Sequence, residues 1–302
     1  SLFSYSKNPV KQWGQLQVKG NQLCSQTGDS IVLRGVSYGW HNLWPRFYNK
    51  QSVKWLKKDW KCTVLRAAMG TVIEDNYIEN PEFALKCMNK VIKAAIKNDL
   101  YIIIDWHTYY PQKKEAKAFF SMMAQKYGKY PHIIYEIYNE PMEDSWESVK
   151  EYATDIISEI RKYDPDNIIL VGSPHWDQDL HLVAESPLEG FNNIMYTLHF
   201  YAATHKQELR DRAEAAWEKG IPIFVSECAG MECTGDGPLD IPESKKISWV
   251  NWSISDKNET CSMILPRANK NGGWDESLIK PAGRQSRKFI RQYNSHIYKN
   301  KE

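Results

Sequence analysis

HIIYEIYNEP, residues 132–141, decides how the chain is read. Ile133 to Tyr138 reads as a buried strand, yet a carboxylate, Glu140, follows at once between Asn139 and Pro141. Proline cannot continue a strand ladder, and it forces the residue before it into extended backbone. Pro141 therefore stops the strand and leaves Glu140 displayed at its end.

Seven other runs share the character of this one. They are IVLRGVS from Ile31, CTVLRAA from Cys62, LYIIIDWH from Leu100, NIILVGS from Asn167, NIMYTLHF from Asn193, IPIFVSE from Ile221 and ISWVNWS from Ile247. Runs this continuously apolar and β-branched mark strands covered on both faces, as a parallel sheet requires. Helix-period segments such as FALKCMNKVIKAAIKN and WESVKEYATDIISEIRKY lie between them. Eight strand–helix repeats predict an α/β chain folded as a (β/α)8 TIM barrel, one catalytic domain over residues 1–302. Ahead of them, WGQLQVKGNQLCSQTG predicts a β-hairpin turning at Lys19-Gly20-Asn21, placed to plug the bottom of the barrel. One repeat is irregular. Only CAGMECTGDGPLDIPESKK separates the seventh run from the eighth, and its glycines and prolines leave room for a turn or two of helix. A short or missing seventh helix is expected, with apolar flanks of strands seven and eight left open at a gap in the outer ring.

Composition narrows the function. The 302 residues hold 39 Lys and Arg against 37 Asp and Glu, and a net charge of +2 gives no field suited to nucleic acid or an anionic membrane. No apolar run approaches the roughly 20 residues of a membrane span, and the opening SLFSYSKNPV lacks the pattern of a signal peptide. We expect a secreted, monomeric protein whose leader has been removed. Six cysteines leave disulfides and buried thiols both open. Asn251-Trp-Ser and Asn258-Glu-Thr formally fit glycosylation acceptors. Twelve tryptophans suit a protein that stacks flat apolar ligand faces, although core filling accounts for most of them.

The polar residues gather at the strand ends: Arg66, His107, Asn139 with Glu140, His199 with Tyr201, Glu227, and Trp252. In such barrels chemistry sits at the C-terminal ends of the strands, and each of these groups is costly to bury without a partner. A shared polar site explains them together. Glu140 and Glu227 end strands four and seven and face each other across the mouth, the pair that glycoside hydrolysis needs. In a retaining mechanism Glu227 attacks as a carboxylate while Glu140 donates a proton and later activates water. Arg66 is placed to keep Glu227 ionised, His199 and Tyr201 to orient the pair, and Asn139 to bond a sugar hydroxyl.

Taken together, LRAAMG around Arg66, DWH at 105–107, YEIYNEP, HFYAATH from His199, VSE ending at Glu227, SWVNWSISDKNE at 248–259 and ANKNGGW closely resemble glycoside hydrolase family 5. The nearest likeness is to its bacterial-type endo-β-1,4-glucanases, from about Gln15 to near Tyr293. The resemblance implies that Glu140 is the acid/base and Glu227 the nucleophile, and that Arg66, His107, Asn139, His199, Tyr201 and Trp252 line the subsite of the reacting sugar. It further implies that Lys257 and Glu259 bind sugar toward the non-reducing end and Trp176 the leaving-group side, with no cofactor or metal. Where the family commonly shows an HGLQW-like stretch, this chain reads YGWHNLWPRFYN. His41 and Trp44 are the expected substitutes, with Trp40 an equal candidate for the stacking surface. Trp274 is either a sugar platform or a loop anchor. Gly70 stands where an aromatic often follows RAAM, and Cys228 and Ala229 follow Glu227 in place of the common aromatic and glycine.

The substrate implied is a β-1,4-glucan, with β-mannan, mixed-linkage glucan, xyloglucan or xylan as alternatives on the same barrel, since one hydroxyl contact can change the choice. A metal-dependent hydrolase would use Asp105, His107 and His199, but lacks the closely spaced His pair after the first strand. A non-catalytic sugar-binding protein could dispense with the two acids, and both are present.

Overall fold

The computed structural model describes residues 8–201, 207–229 and 240–298. Two strands, β1 (Gln17–Lys19) and β2 (Gln22–Cys24), form an antiparallel hairpin. Eight more close a parallel barrel: β3 (Arg34–Tyr38), β4 (Val64–Gly70), β5 (Tyr101–His107), β6 (Ile133–Glu136), β7 (Ile169–Val171), β8 (Ile194–Tyr201), β9 (Ile223–Ala229) and β10 (Trp249–Ile254), with β10 pairing back to β3. Each falls on one of the eight runs. The hairpin turns at Gly20, whose φ of 60° at the first central position is the conformation that asks for glycine in a two-residue turn.

Why the runs are continuous is visible in their alternation. One set of residues points into the barrel, and its lower layer is apolar: Val64, Ile103, Ile134, Leu170, Met195, Phe224 and Val250 form one buried cluster. Leu16 and Leu23, from the hairpin and its approach, join that cluster. The hairpin is seated by Val18 N–H donating to Asn193 Oδ1 at 3.0 Å and Asn21 Nδ2 to the Trp217 carbonyl at 2.9 Å. The alternate residues, such as Leu65, Ile102, Ile104 and Ile169, pack outward beneath the helices. The helix Pro81–Lys97 shows how that layer is made. Asn80 caps it by accepting from Phe83 N–H, proline starts it, and Ala84, Cys87, Met88, Val91, Ile92 and Ala95 bury one face at helical spacing.

The seventh repeat carries a five-residue helix, Asp240–Ser244, and residues 230–239 lie outside the described part. The open flank expected there is absent among the described residues. Ile223, Val225 and Trp249 are buried, and Glu243 of this short helix accepts from Trp249 Nε1 at 2.7 Å and forms a two-pronged ion pair with Arg34. The C-terminal helix Pro281–Asn294 covers the other side, where Ser286 bonds Asn251 at 2.9 Å. Asn251 is thus buried and no glycan acceptor. Cys24, Cys62, Cys87, Cys228 and Cys261 are free thiols, and Cys233 lies outside the described residues, as does the Ala202–His205 part of the HFYAATH stretch. No helix among the described residues is long and apolar enough to cross a membrane.

Candidate active site

Two residues above the apolar layer, the interior changes character. Val64 gives way to Arg66, Ile103 to Asp105, Ile134 to Glu136, Met195 to Thr197, Phe224 to Ser226 and Val250 to Trp252. All but Trp252, which is slightly open to the mouth, are completely buried.

Arg66 organises this layer. Its Nε donates to Glu136 Oε2 at 2.8 Å, Nη1 to Glu227 Oε2 at 2.9 Å and Nη2 to Asn139 Oδ1 at 2.7 Å, and Nη2 forms an ion pair with Asp105 Oδ2 at 3.0 Å. A buried guanidinium must have its donors engaged, and here three carboxylates and an amide take them. Burial works against the charge, but Asp105, Glu136 and Glu227 outweigh it and fix Arg66 as a cation. Burial likewise works against Glu227. His199, Arg66 and His107 prevail, with the Tyr201 hydroxyl donating to Oε1, and hold Glu227 below its ordinary range. Glu227 is therefore ionised near neutral pH, as a nucleophile must be.

Glu140 stands across the mouth. Its Oε1 lies 2.8 Å from His199 Nδ1, and carboxylate oxygens of Glu140 and Glu227 approach within 4.8 Å. His107 is held by Asp105 at 2.6 Å and stacks on Trp252 with the rings 5.3 Å apart and 6° from parallel. The peptide between Trp252 and Ser253 is cis. A cleft of about 560 Å³ opens above, lined by residues that include both glutamates, His107, His199, Tyr201, Trp252, Trp44, Trp176, Lys257 and Glu259. Trp44 follows β3 and Trp176 follows β7, strands four apart in a ring of eight, so the two indoles stand on opposite sides of the glutamates. Lys257 and Glu259 pair at 2.6 Å on the rim.

Four residues named from the sequence as candidate sugar contacts do not line this cleft. Arg66 and Asn139 lie beneath its floor, fully buried. His41 points away into the wall, where its Nδ1 accepts from Gly70 N–H at 3.1 Å and burial lowers its pKa to about 4. Trp40 takes the cleft position instead, edge-on to His107 at 4.7 Å. Gly70 makes room for it, since a Cβ there would lie 2.9 Å from the Trp40 ring. Trp274 is a loop anchor, wedged edge-on between Phe47 and Trp60.

Other residues belong to the site without having been read from the sequence. Glu136 is the two-pronged partner of Arg66, and an ionisable residue inside a buried run was the available signal. Ser226 bridges Glu136 and His199 at 2.8 Å each. Tyr109 lines the cleft, and burial keeps its hydroxyl protonated. Asp177, from the loop after β7, lies 3.1 Å from His199. Among the described residues, two triads offer ligand atoms close enough for a metal ion, Glu136–Asp177–His199 and Glu140–His199–Glu227. In both, the acids already face the Arg66 or His199 donors. Asp105, His107 and His199 form no such group.

Comparison with known proteins shows the family. The model of the cellulase family (glycosyl hydrolase family 5) matches residues 24–258. An endoglucanase of Clostridium saccharobutylicum is 42% identical over 92% of this chain, and endoglucanase 5 of Pectobacterium carotovorum subsp. carotovorum 40% identical over 96%. The chain spans 65% and 60% of those relatives' lengths, less than two thirds of either. Among solved structures, the catalytic domain of Thermobifida fusca endoglucanase Cel5A, as a Glu-to-Gln variant in complex with cellotetraose, superposes with a TM-score of 0.87 at 31% identity, covering 94% of this chain and 99% of that one. With the two glutamates lining one cleft and a family match spanning all eight barrel strands, the chain belongs to the cellulase family, glycosyl hydrolase family 5.

Proposed function

We propose that this chain is the catalytic unit of a retaining endo-β-1,4-glucanase, with Glu227 as nucleophile and Glu140 as acid/base. The carrying observation is the approach of the two carboxylates within 4.8 Å across an open cleft. Retaining enzymes need about 5–5.5 Å between the groups, whereas inverting enzymes leave roughly 6.5–9.5 Å for a water. Glu227 attacks the anomeric carbon while Glu140 protonates the departing glycosidic oxygen. The glycosyl ester on Glu227 is then released by a water that gives its proton to Glu140. Arg66 and Tyr201 hold the Glu227 oxygens in line. Cleavage inside a polymer fits a cleft with an indole on either side of the acids, since sugar rings are apolar on their faces and hydroxylated at their rims. A β-glucan chain is the partner, and Lys257 and Glu259 read its hydroxyls on the Trp44 side. Because such a polymer cannot enter a cell, the protein works outside it, and residues 1–302 act as one monomeric catalytic domain.

The test is reducing-sugar release from soluble cellulose, mixed-linkage glucan, mannan and xylan. Glu227→Gln is expected to lose on the order of 10⁴-fold or more in kcat while still binding oligosaccharide. Glu140→Ala is expected to keep forming the glycosyl-enzyme from substrates with a good leaving group and to fail on poor ones. Substantial turnover by the Glu227 variant would move the nucleophile elsewhere, and preference for mannan or xylan would reassign the substrate.

A further inference from the structure

The loop after β7 carries a carboxylate that the proposed reaction does not use. His175, Trp176 and Asp177 have φ of 51°, 56° and 60°, three consecutive left-handed residues of which none is glycine. Such a turn persists only where its surroundings enforce it. Here they do. His175 N–H donates to the Met142 carbonyl at 3.1 Å and Trp176 N–H to the Pro141 carbonyl at 2.9 Å, the two residues directly after Glu140. Gly172 permits the approach, since a Cβ there would lie 2.7 Å from the Tyr138 carbonyl and 2.8 Å from Asp177 Oδ1. One turn thus sets Trp176 at the cleft and Asp177 beneath it.

Asp177 is completely buried, with Oδ1 accepting from Ser173 N–H at 2.8 Å and Oδ2 at 3.1 Å from His199 Nε2. The hydrogen bonds assign the ring. Ser226 donates its hydroxyl to Glu136 and so can only accept from His199 Nε2, which must carry a proton, with the Asp177 carboxylate beside it at 3.1 Å as a charge partner. His199 Nδ1 then faces Glu140 Oε1 with a single proton between them. We propose that Asp177 is a positioning residue: acting through His199, it fixes the proton beside Glu140 and sets the alkaline edge of activity.

The groups facing His199 are Asp177, Glu140, Glu136 at 3.6 Å and Glu227, with Arg66 behind Glu136 and Tyr138 behind Asp177. Burial opposes a charge on the imidazole. Asp177 is the largest influence against it, followed by Glu227, and the pKa of His199 ends well above its ordinary value. Burial in turn pushes Asp177 well above the usual carboxylate range. Between them the two groups keep a proton through neutral pH. Removing the carboxylate weakens the hold on that proton, so the Glu140–His199 pair gives it up at lower pH.

This inference rests on Glu140 being the acid/base, and its experiment separates the two. The pH profile of kcat/KM is measured for wild type and Asp177→Asn on aryl cello-oligosaccharides with a poor and a good leaving group. With the poor leaving group, the alkaline limb is expected to move down by about one pH unit, a roughly tenfold loss at fixed pH. With the good leaving group, which needs no proton, the limb stays in place. Superimposable profiles, or equal loss on both substrates at every pH, would reduce Asp177 to a packing residue. Should Asp177→Asn fail to fold, ¹⁵N-histidine NMR of the wild type serves instead, with the His199 signal assigned by its loss in His199→Asn. A proton on Nε2 at pH 7 is expected, and a bare Nε2 would overturn the proposal. If wild type turns over no β-glucan, the enzymatic reading fails while the NMR result still decides the Asp177–His199 contact.

Discussion

Two layers of the same barrel interior, one residue pair apart, are built to opposite rules. The lower, from Val64, Ile103, Ile134, Met195, Phe224 and Val250, is dry and uncharged, and the hairpin seals it with Leu16 and Leu23. The upper holds Arg66, Asp105 and Glu136 in the same depth of burial and touches Glu227 and Asn139. Apolar burial stabilises at roughly 25 cal/mol per Å², whereas ion pairs taken out of water recover little more than their desolvation cost. The lower layer therefore holds the fold, and the upper keeps charges fixed where a reaction can use them.

Substitutions can break that division. The largest effect is expected from Arg66→Met, which strands three carboxylates that share its guanidinium. It should cost about 3–5 kcal/mol of stability and on the order of 10³-fold in kcat, read by urea unfolding and by turnover of the folded fraction. Ile103→Ala, one layer down, should cost about 2–5 kcal/mol through the cavity it leaves, with kcat of the folded protein unchanged. A comparable loss of kcat there would mean that the layers are coupled.

His41 belongs to neither layer and sharpens the contrast by its pH dependence. Its pKa is about 4 in the fold against 6.5 ordinarily, so the unfolded chain takes up the proton first. The stability it contributes is complete above pH 6.5 and is lost as pH falls toward 4, by about 3 kcal/mol. In His41→Asn, where an amide oxygen can still accept from Gly70 N–H, the decline measured between pH 7 and 4 should be smaller by about that amount. The smallest effect is expected at the rim. Lys257 is half exposed in its pair with Glu259, so Lys257→Met should change stability by less than about 1 kcal/mol. It should raise KM with little change in kcat, the mark of a contact equally present in bound substrate and transition state.

The barrel was legible because its strands are covered on both faces, and each β-branched run becomes one strand. The glutamates were legible as carboxylates near strand ends, but the boundaries were not: β6 stops at Glu136, four residues before Glu140, and β9 runs on past Glu227 to Ala229. What could not be read depends on ring closure. Glu136 is one more residue of a strand until β4 brings Arg66 beside it. Asp177 sits in a short polar stretch, and only the turn pinned to Pro141 and Met142 carries it under His199. His41 and Trp40 are adjacent, and which of them faces the cleft follows from the space that Gly70 leaves on the neighbouring strand.

The hairpin has a consequence for exposure. With Leu16 and Leu23 joined to the apolar layer, the end of the barrel away from the cleft is closed by packed side chains, so the buried charges around Arg66 can meet solvent only from the cleft side.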